Sequence, residues 1–152
     1  MLSLVGDITS TVIDIIGNLC LRIANPQRAP FAGYMQGIDS FDGDLHNFNI
    51  VGNKVISSAC HGVSFYSLHD STIANNAVID DGSGAAGQCA LWLGLFKTSH
   101  QGAASSNVSI INNAASAYNI DETIVGLTKS GNTCIPGADL RRCLAVVART
   151  RR

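Results

Sequence analysis

Apolar and polar positions alternate along this chain in short runs, each bounded by turn-forming residues. "QGIDSF" (36–41), "HGVSFY" (61–66) and "CALWLG" (89–94) carry such runs, the period of a half-buried strand. A second pattern follows them, anchored on asparagine. "IIGNLC" holds Ile15, Asn18 and Cys20; "IVGNKV" holds Ile50, Asn53 and Val55; "IANNAV" holds Ile73, Asn76 and Val78; "IINNAA" holds Ile110, Asn113 and Ala115. A degraded copy, "SGNTC", keeps Asn132 and Cys134 but has Lys129 in place of the isoleucine. The residue before each asparagine is Gly17, Gly52, Asn75, Asn112 or Gly131, all types that tolerate left-handed backbone.

The anchors lie 35 (18 to 53), 23 (53 to 76), 37 (76 to 113) and 19 (113 to 132) residues apart. Periods of about 20–50 residues mark repeat arrays. Short strands at this period predict an all-β solenoid of about five coils, a β-helix, in which equivalent residues stack ~4.8 Å apart. Asn18, Asn53, Asn76 and Asn113 then form an amide ladder. Ile15, Ile50, Ile73 and Ile110 form one core column, and Cys20, Val55, Val78, Ala115 and Cys134 another.

The longer periods are explained by excursions. "CLRIANPQRAPFAGYM" (20–35), "DDGSGAAGQ" (80–88) and "FKTSHQGAASS" (96–106) are rich in turn residues and leave the coils at their corners. The organisation expected is an N-terminal coil and excursion over 1–35, serving as a docking segment, a solenoid over 36–135, and an Arg-rich tail over 136–152. Leu140, Cys143, Leu144 and Val147 are spaced for a C-terminal helix that caps the coil or docks to a partner.

Composition narrows the function classes. The 152 residues suit one domain, and charged residues are 14% with a formal net charge of −1. That balance gives no electrostatic case for nucleic acid. No segment is long and apolar enough for membrane insertion, and the first residues lack the basic stretch of a secretory signal. The five cysteines are scattered without a Cys-x-x-Cys pair and read as buried free thiols rather than a disulfide framework or a zinc site.

Alternation also assigns faces. With Ile38, Ser40, Val63, Phe65, Leu91 and Leu93 inward, Asp39, Phe41, Ser64, Tyr66 and Trp92 point outward on neighbouring coils. Aromatic platforms beside polar groups suit sugar rings, so this face is the candidate carbohydrate site. His46 and His69 each lie seven residues before their anchor asparagine and stack one coil apart. They join the face as polar corner residues; no metal is assigned to them, since no third ligand is evident. His61 and His100 read as structural singletons. The run Asp39, Asp42, Asp44 is the one place for calcium, without an EF-hand pattern; no other cofactor is expected. Asp39 with Asp42 or Asp44, and Asp70 with Asp80, are the carboxylate pairs close enough in sequence for glycoside hydrolysis.

The stretch from Met35 to Asp81 resembles right-handed parallel β-helix proteins of the pectate-lyase-like superfamily. It resembles in particular the group with "QGI-x-x-FDG", "I-x-N-N-x-V" and "HGI" motifs, common in genomes of phages and gene transfer agents. The matching positions include Gln36, Gly37, Ile38, Phe41, Asp42, Gly43, Ile50, Asn53, Val55, His61, Gly62, Val63, Ile73, Asn76, Val78 and Asp80, and the likeness runs over about residues 34–120. It implies a right-handed β-helix and a trimeric spike or fibre of a phage-like particle. Such a protein sits in the virion, faces cell-surface polysaccharide, and docks to other virion proteins through its termini. The alternative it leaves is a secreted or virion-borne polysaccharide lyase or glycoside hydrolase. The chain is shorter than the superfamily's enzymes and lacks their calcium-and-arginine constellation, which favours the adhesive reading over an enzyme.

Overall fold

A computed structural model of the chain describes residues 2–5, 12–21, 38–57, 61–81, 92–97 and 102–135. Within them the chain makes five passes. The first is β1 (Leu2–Val5), β2 (Ile13–Ile16) and β3 (Leu19–Leu21). The second is β4 (Ile38–Asp42), the short β5 (Leu45–His46), β6 (Phe48–Val51) and β7 (Lys54–Ser57). The third is β8 (Val63–Tyr66), β9 (Leu68–Ala74) and β10 (Ala77–Asp80); the fourth is β11 (Leu93–Phe96), β12 (Ser106–Ile111) and β13 (Ala114–Ala115). The fifth is β14 (Tyr118–Ile120), β15 (Thr128–Ser130) and β16 (Thr133–Cys134).

Each pass visits three sheets in the same cyclic order. The first sheet is β1-β4-β8-β11-β14, the second β2-β6-β9-β12-β15 with β5 also on β9, and the third β3-β7-β10-β13-β16. Every pairing is parallel. The described residues are thus all-β, with parallel strands stacked pass upon pass as in a β-helix or solenoid, and they contain no helix. The Arg-rich tail with its expected helix, and most of the three excursions, lie outside the described residues.

Register follows the repeated text. Ile15, Ile50, Ile73 and Ile110 are aligned in the second sheet, and the column ends on Lys129. In the third sheet Cys20, Val55, Val78, Ala115 and Cys134 are aligned. Between the sheets lies one apolar core built from these columns with Ile38, Leu45, Phe48, Val63, Phe65, Leu68, Leu93, Leu95 and Val108. Burying each large aliphatic or aromatic side chain contributes about 1.5–3 kcal/mol. Lys129 takes the isoleucine position at the last pass, half-buried, and its ammonium pairs with Glu122.

The asparagine column lies at the turn between the second and third sheets. Each side-chain amide donates to the Oδ1 of the asparagine one pass on: Asn18 to Asn53 at 2.9 Å, then Asn53 to Asn76, Asn76 to Asn113 and Asn113 to Asn132 at 3.0 Å. That Oδ1 also accepts the backbone N–H of the same donor residue. The second amide hydrogen goes back to an isoleucine carbonyl of the previous pass, as from Asn76 to Ile50 at 2.8 Å. Asn53, Asn76 and Asn113 are therefore buried with donors and acceptors matched, which is what makes a buried amide tolerable. The preceding residues Gly17, Gly52, Asn75, Asn112 and Gly131 have φ of 67°, 68°, 56°, 53° and 64°. This left-handed step turns the chain from one sheet to the next, and Gly or Asn makes it at low cost.

One cysteine departs from expectation. Cys20 is a free thiol, but Cys134 is disulfide-bonded, to a residue outside the described ones. The free-thiol reading fails there because it rested on spacing, which does not state which cysteines the fold brings together; Cys134 and Cys20 are both half-buried, at opposite ends of one column.

Candidate functional site

Two groups of side chains flank the corner between the first and second sheets, at Ser67, whose φ is 48°. The first is aromatic and stands on the outer face of β8 and β11. Val63 and Phe65 face the core, so Ser64 and Tyr66 face outward; Leu93 and Leu95 face the core, so Trp92, Gly94 and Phe96 face outward. Pairing of β8 with β11 sets Tyr66 beside Phe96 and Ser64 beside Gly94.

The rings close over the small residues between them. Tyr66 stacks on Phe96 with centroids 4.4 Å apart and planes 15° apart. His61 meets Trp92 edge-on at 5.0 Å, and Trp92 meets Phe96 edge-on at 6.4 Å. Offset stacking and edge contacts are the arrangements that the ring quadrupole favours. A side chain on Gly94 has no room, since a Cβ there would sit 2.9 Å from Phe96 Cε2 and 3.0 Å from Trp92 Cδ1. The four rings remain half-buried, each with part of its surface in water.

This sorts the expected carbohydrate-binding residues. Tyr66 and Trp92 come together as neighbours. Ser64 faces outward but is fully covered, and its hydroxyl makes no hydrogen bond, so it lies under the platform rather than on it. Asp39 is in register with Ser64 on β4; its side chain and that of Phe41 lie outside the described residues. Phe96 and His61 belong to the cluster although the sequence reading put Phe96 in an excursion and His61 apart. The signal was present: Trp92-Leu93-Gly94-Leu95-Phe96 continues the alternation two residues further.

Burial lowers the pKa of His61 below its ordinary 6.5. A base whose pKa falls on folding loses stability as the unfolded chain takes up its proton, so the loss begins near the unfolded value and stops below the folded one. Acidification from pH 7.5 through 6.5 is therefore expected to lower the denaturation midpoint through His61. His61→Asn, which accepts the φ of 65° found there, should flatten that slope in urea melts run across the pH range. An unchanged slope would mean that His61 stays solvated.

The second group stands on the second sheet. His46 of β5 is in register with His69 of β9, and His69 with Ser106 of β12. The imidazoles stack with centroids 4.5 Å apart and planes 19° apart. His69 is buried at 6% exposure, and its Nδ1 lies 3.0 Å from Ser106 Oγ. Its Nε2 makes no hydrogen bond and faces Asp44 Oδ1 at 3.6 Å. That same oxygen accepts the backbone N–H of Ala103 at 2.6 Å. The two histidines thus share a site with Asp44, around the corner from the aromatic face.

Asp44 was legible only as part of the acidic run. Leu45 is wholly buried, so Asp44 and His46 leave the strand on the same side. The other proposed carboxylate pair is divided between sheets, Asp70 on β9 and Asp80 on β10. Asp70 accepts from Asn107 Nδ2 at 2.9 Å, a cross-strand contact that ties the second sheet together. Asp42, the remaining acid of the calcium reading, has its side chain outside the described residues.

No protein family, no curated protein and no solved structure matches this chain.

Proposed function

We propose that the chain is a right-handed parallel β-helix serving as an adhesive spike or fibre component of a phage-like particle, with the outer aromatic face of its first sheet engaging cell-surface polysaccharide. The observation that carries this reading is the cluster of Tyr66, Phe96, Trp92 and His61, half-exposed on a sheet held on both sides by neighbouring passes. Pre-stacked rings have already lost their rotamer freedom, so a sugar face laid against them meets little ordering cost. Trp92 Nε1, buried without a hydrogen-bond partner, is a donor that a small shift of the indole would offer to a hydroxyl.

Trimerisation and docking to virion proteins through the termini complete the proposal and rest on the resemblance of the Met35–Asp81 text alone. The adhesive reading predicts that Trp92→Ala weakens binding to host capsular or cell-surface polysaccharide by about tenfold or more, as loss of an aromatic anchor does. Lys54→Ala, on the exposed side of the third sheet, should leave binding unchanged. Equal affinity of wild type and Trp92→Ala on a polysaccharide array would refute the aromatic face. New unsaturated or reducing ends appearing in the glycan during the same incubation would instead favour a lyase or hydrolase.

A further inference from the structure

We infer that Asp44, His46 and His69 form a binding site for a borderline divalent transition metal, of which zinc is the natural probe. One ligand atom from each lies within 4.8 Å of the others. Ligands of a tetrahedral zinc stand about 2.0–2.1 Å from the ion, hence roughly 3.4 Å from one another. The His69 Nε2 to Asp44 Oδ1 distance of 3.6 Å already matches that edge. His46 is half-exposed and is the member that must turn out of its stack so that its lone pair converges.

The independent observation is His69 itself. Its ring is almost completely buried, and Nε2 points at a carboxylate with no hydrogen bond made. In the tautomer whose Nδ1 donates to Ser106 Oγ, 3.0 Å away, Nε2 presents a lone pair to another acceptor. A buried imidazole lone pair facing a half-exposed carboxylate oxygen is unfavourable until a cation stands between them. A polar contact at the far nitrogen, here Ser106 Oγ, is also the kind of outer contact that orients a metal-ligating histidine. Asp44 is held in turn by the Ala103 N–H, which its Oδ1 accepts at 2.6 Å. Two imidazoles and one carboxylate suit zinc, nickel or copper(II); calcium and magnesium prefer sets made of oxygen. Three protein ligands leave a coordination position for water or a ligand oxygen.

The test uses the full chain without a histidine tag, stripped by a chelator, at pH 7.5. Zinc at about a hundredfold excess over its Kd should raise the unfolding midpoint by roughly 5–10 °C. Cobalt(II) should give visible d–d bands of tetrahedral intensity. His46→Ala and Asp44→Asn, each checked for native circular dichroism, should abolish both effects. Both variants keep every cysteine, so loss of the response in them excludes thiolate binding as its source. Calcium at the same concentration should do nothing. The inference falls if zinc produces no shift in wild type, or if the shift survives in both variants. It falls equally if only acidification stabilises the site, since the Nε2–Asp44 contact then holds a proton rather than a metal.

Discussion

Asn76→Ala is expected to remove on the order of 4–6 kcal/mol of stability, a large part of the ~5–15 kcal/mol typical of a whole domain. The alanine strands four partners at once. Asn53 loses the acceptor of both its backbone N–H and its side-chain amide, Ile50 loses the donor to its carbonyl, and Asn113 Oδ1 loses one of two donors. Asn53, Ile50 and Asn113, which carry these four groups, are all buried, so water does not replace what is lost, and each unmet buried group costs about 1–3 kcal/mol. Asn76→Asp should fare no better despite its shape, because it sets carboxylate oxygens against Asn113 Oδ1 and the Ile50 carbonyl. Asn18→Ala, at the exposed start of the column, should cost about 1 kcal/mol or less, as for a solvent-reached hydrogen bond. Urea midpoints of the three variants measure the contrast. Equal, small losses at positions 18 and 76 would mean that the amide column contributes little.

Phe65→Ala and Tyr66→Ala form the second contrast, between adjacent residues on opposite faces of β8. Phe65 is wholly buried against the core, and deleting a ring from a packed site costs about 3–5 kcal/mol with the cavity it leaves. Tyr66 is half-exposed and stacked on Phe96. Its loss removes an aromatic pair worth about 0.5–1.5 kcal/mol and some covered area. The larger effect should fall on Phe65 for stability and on Tyr66 for polysaccharide binding. Chemical denaturation paired with binding measurements reads both, and a reversed order would place the two side chains on the wrong faces.

The repeat was legible because stacking imposes a strict condition. Each pass must offer the next an amide and an aliphatic at the same height, so Ile-x-x-Asn recurs although the distance between copies does not. Excursions at corners carry no such condition, and their lengths therefore vary freely. Alternation was enough to put Tyr66 and Trp92 on one outer face. It could not show that the rings cover Ser64, because covering depends on which neighbours are large and which are absent, as at Gly94. Phe96 was missed by ending a strand at Gly94. Asp44 was read with its acidic neighbours rather than with His46, two residues on, although Leu45 between them is a core residue. The Cys134 disulfide was hidden for a different reason: pairing depends on where the chain returns, and spacing alone does not state it.

Nuclear magnetic resonance of the side-chain amides tests the stacking most directly. The arrangement predicts Overhauser contacts from the Asn53 amide to Asn76 and from the Asn76 amide to Asn113, with hydrogen exchange slowed at Asn53, Asn76 and Asn113 and fast at Asn18. Fast exchange at all four, with no contact between residues one pass apart, would contradict it.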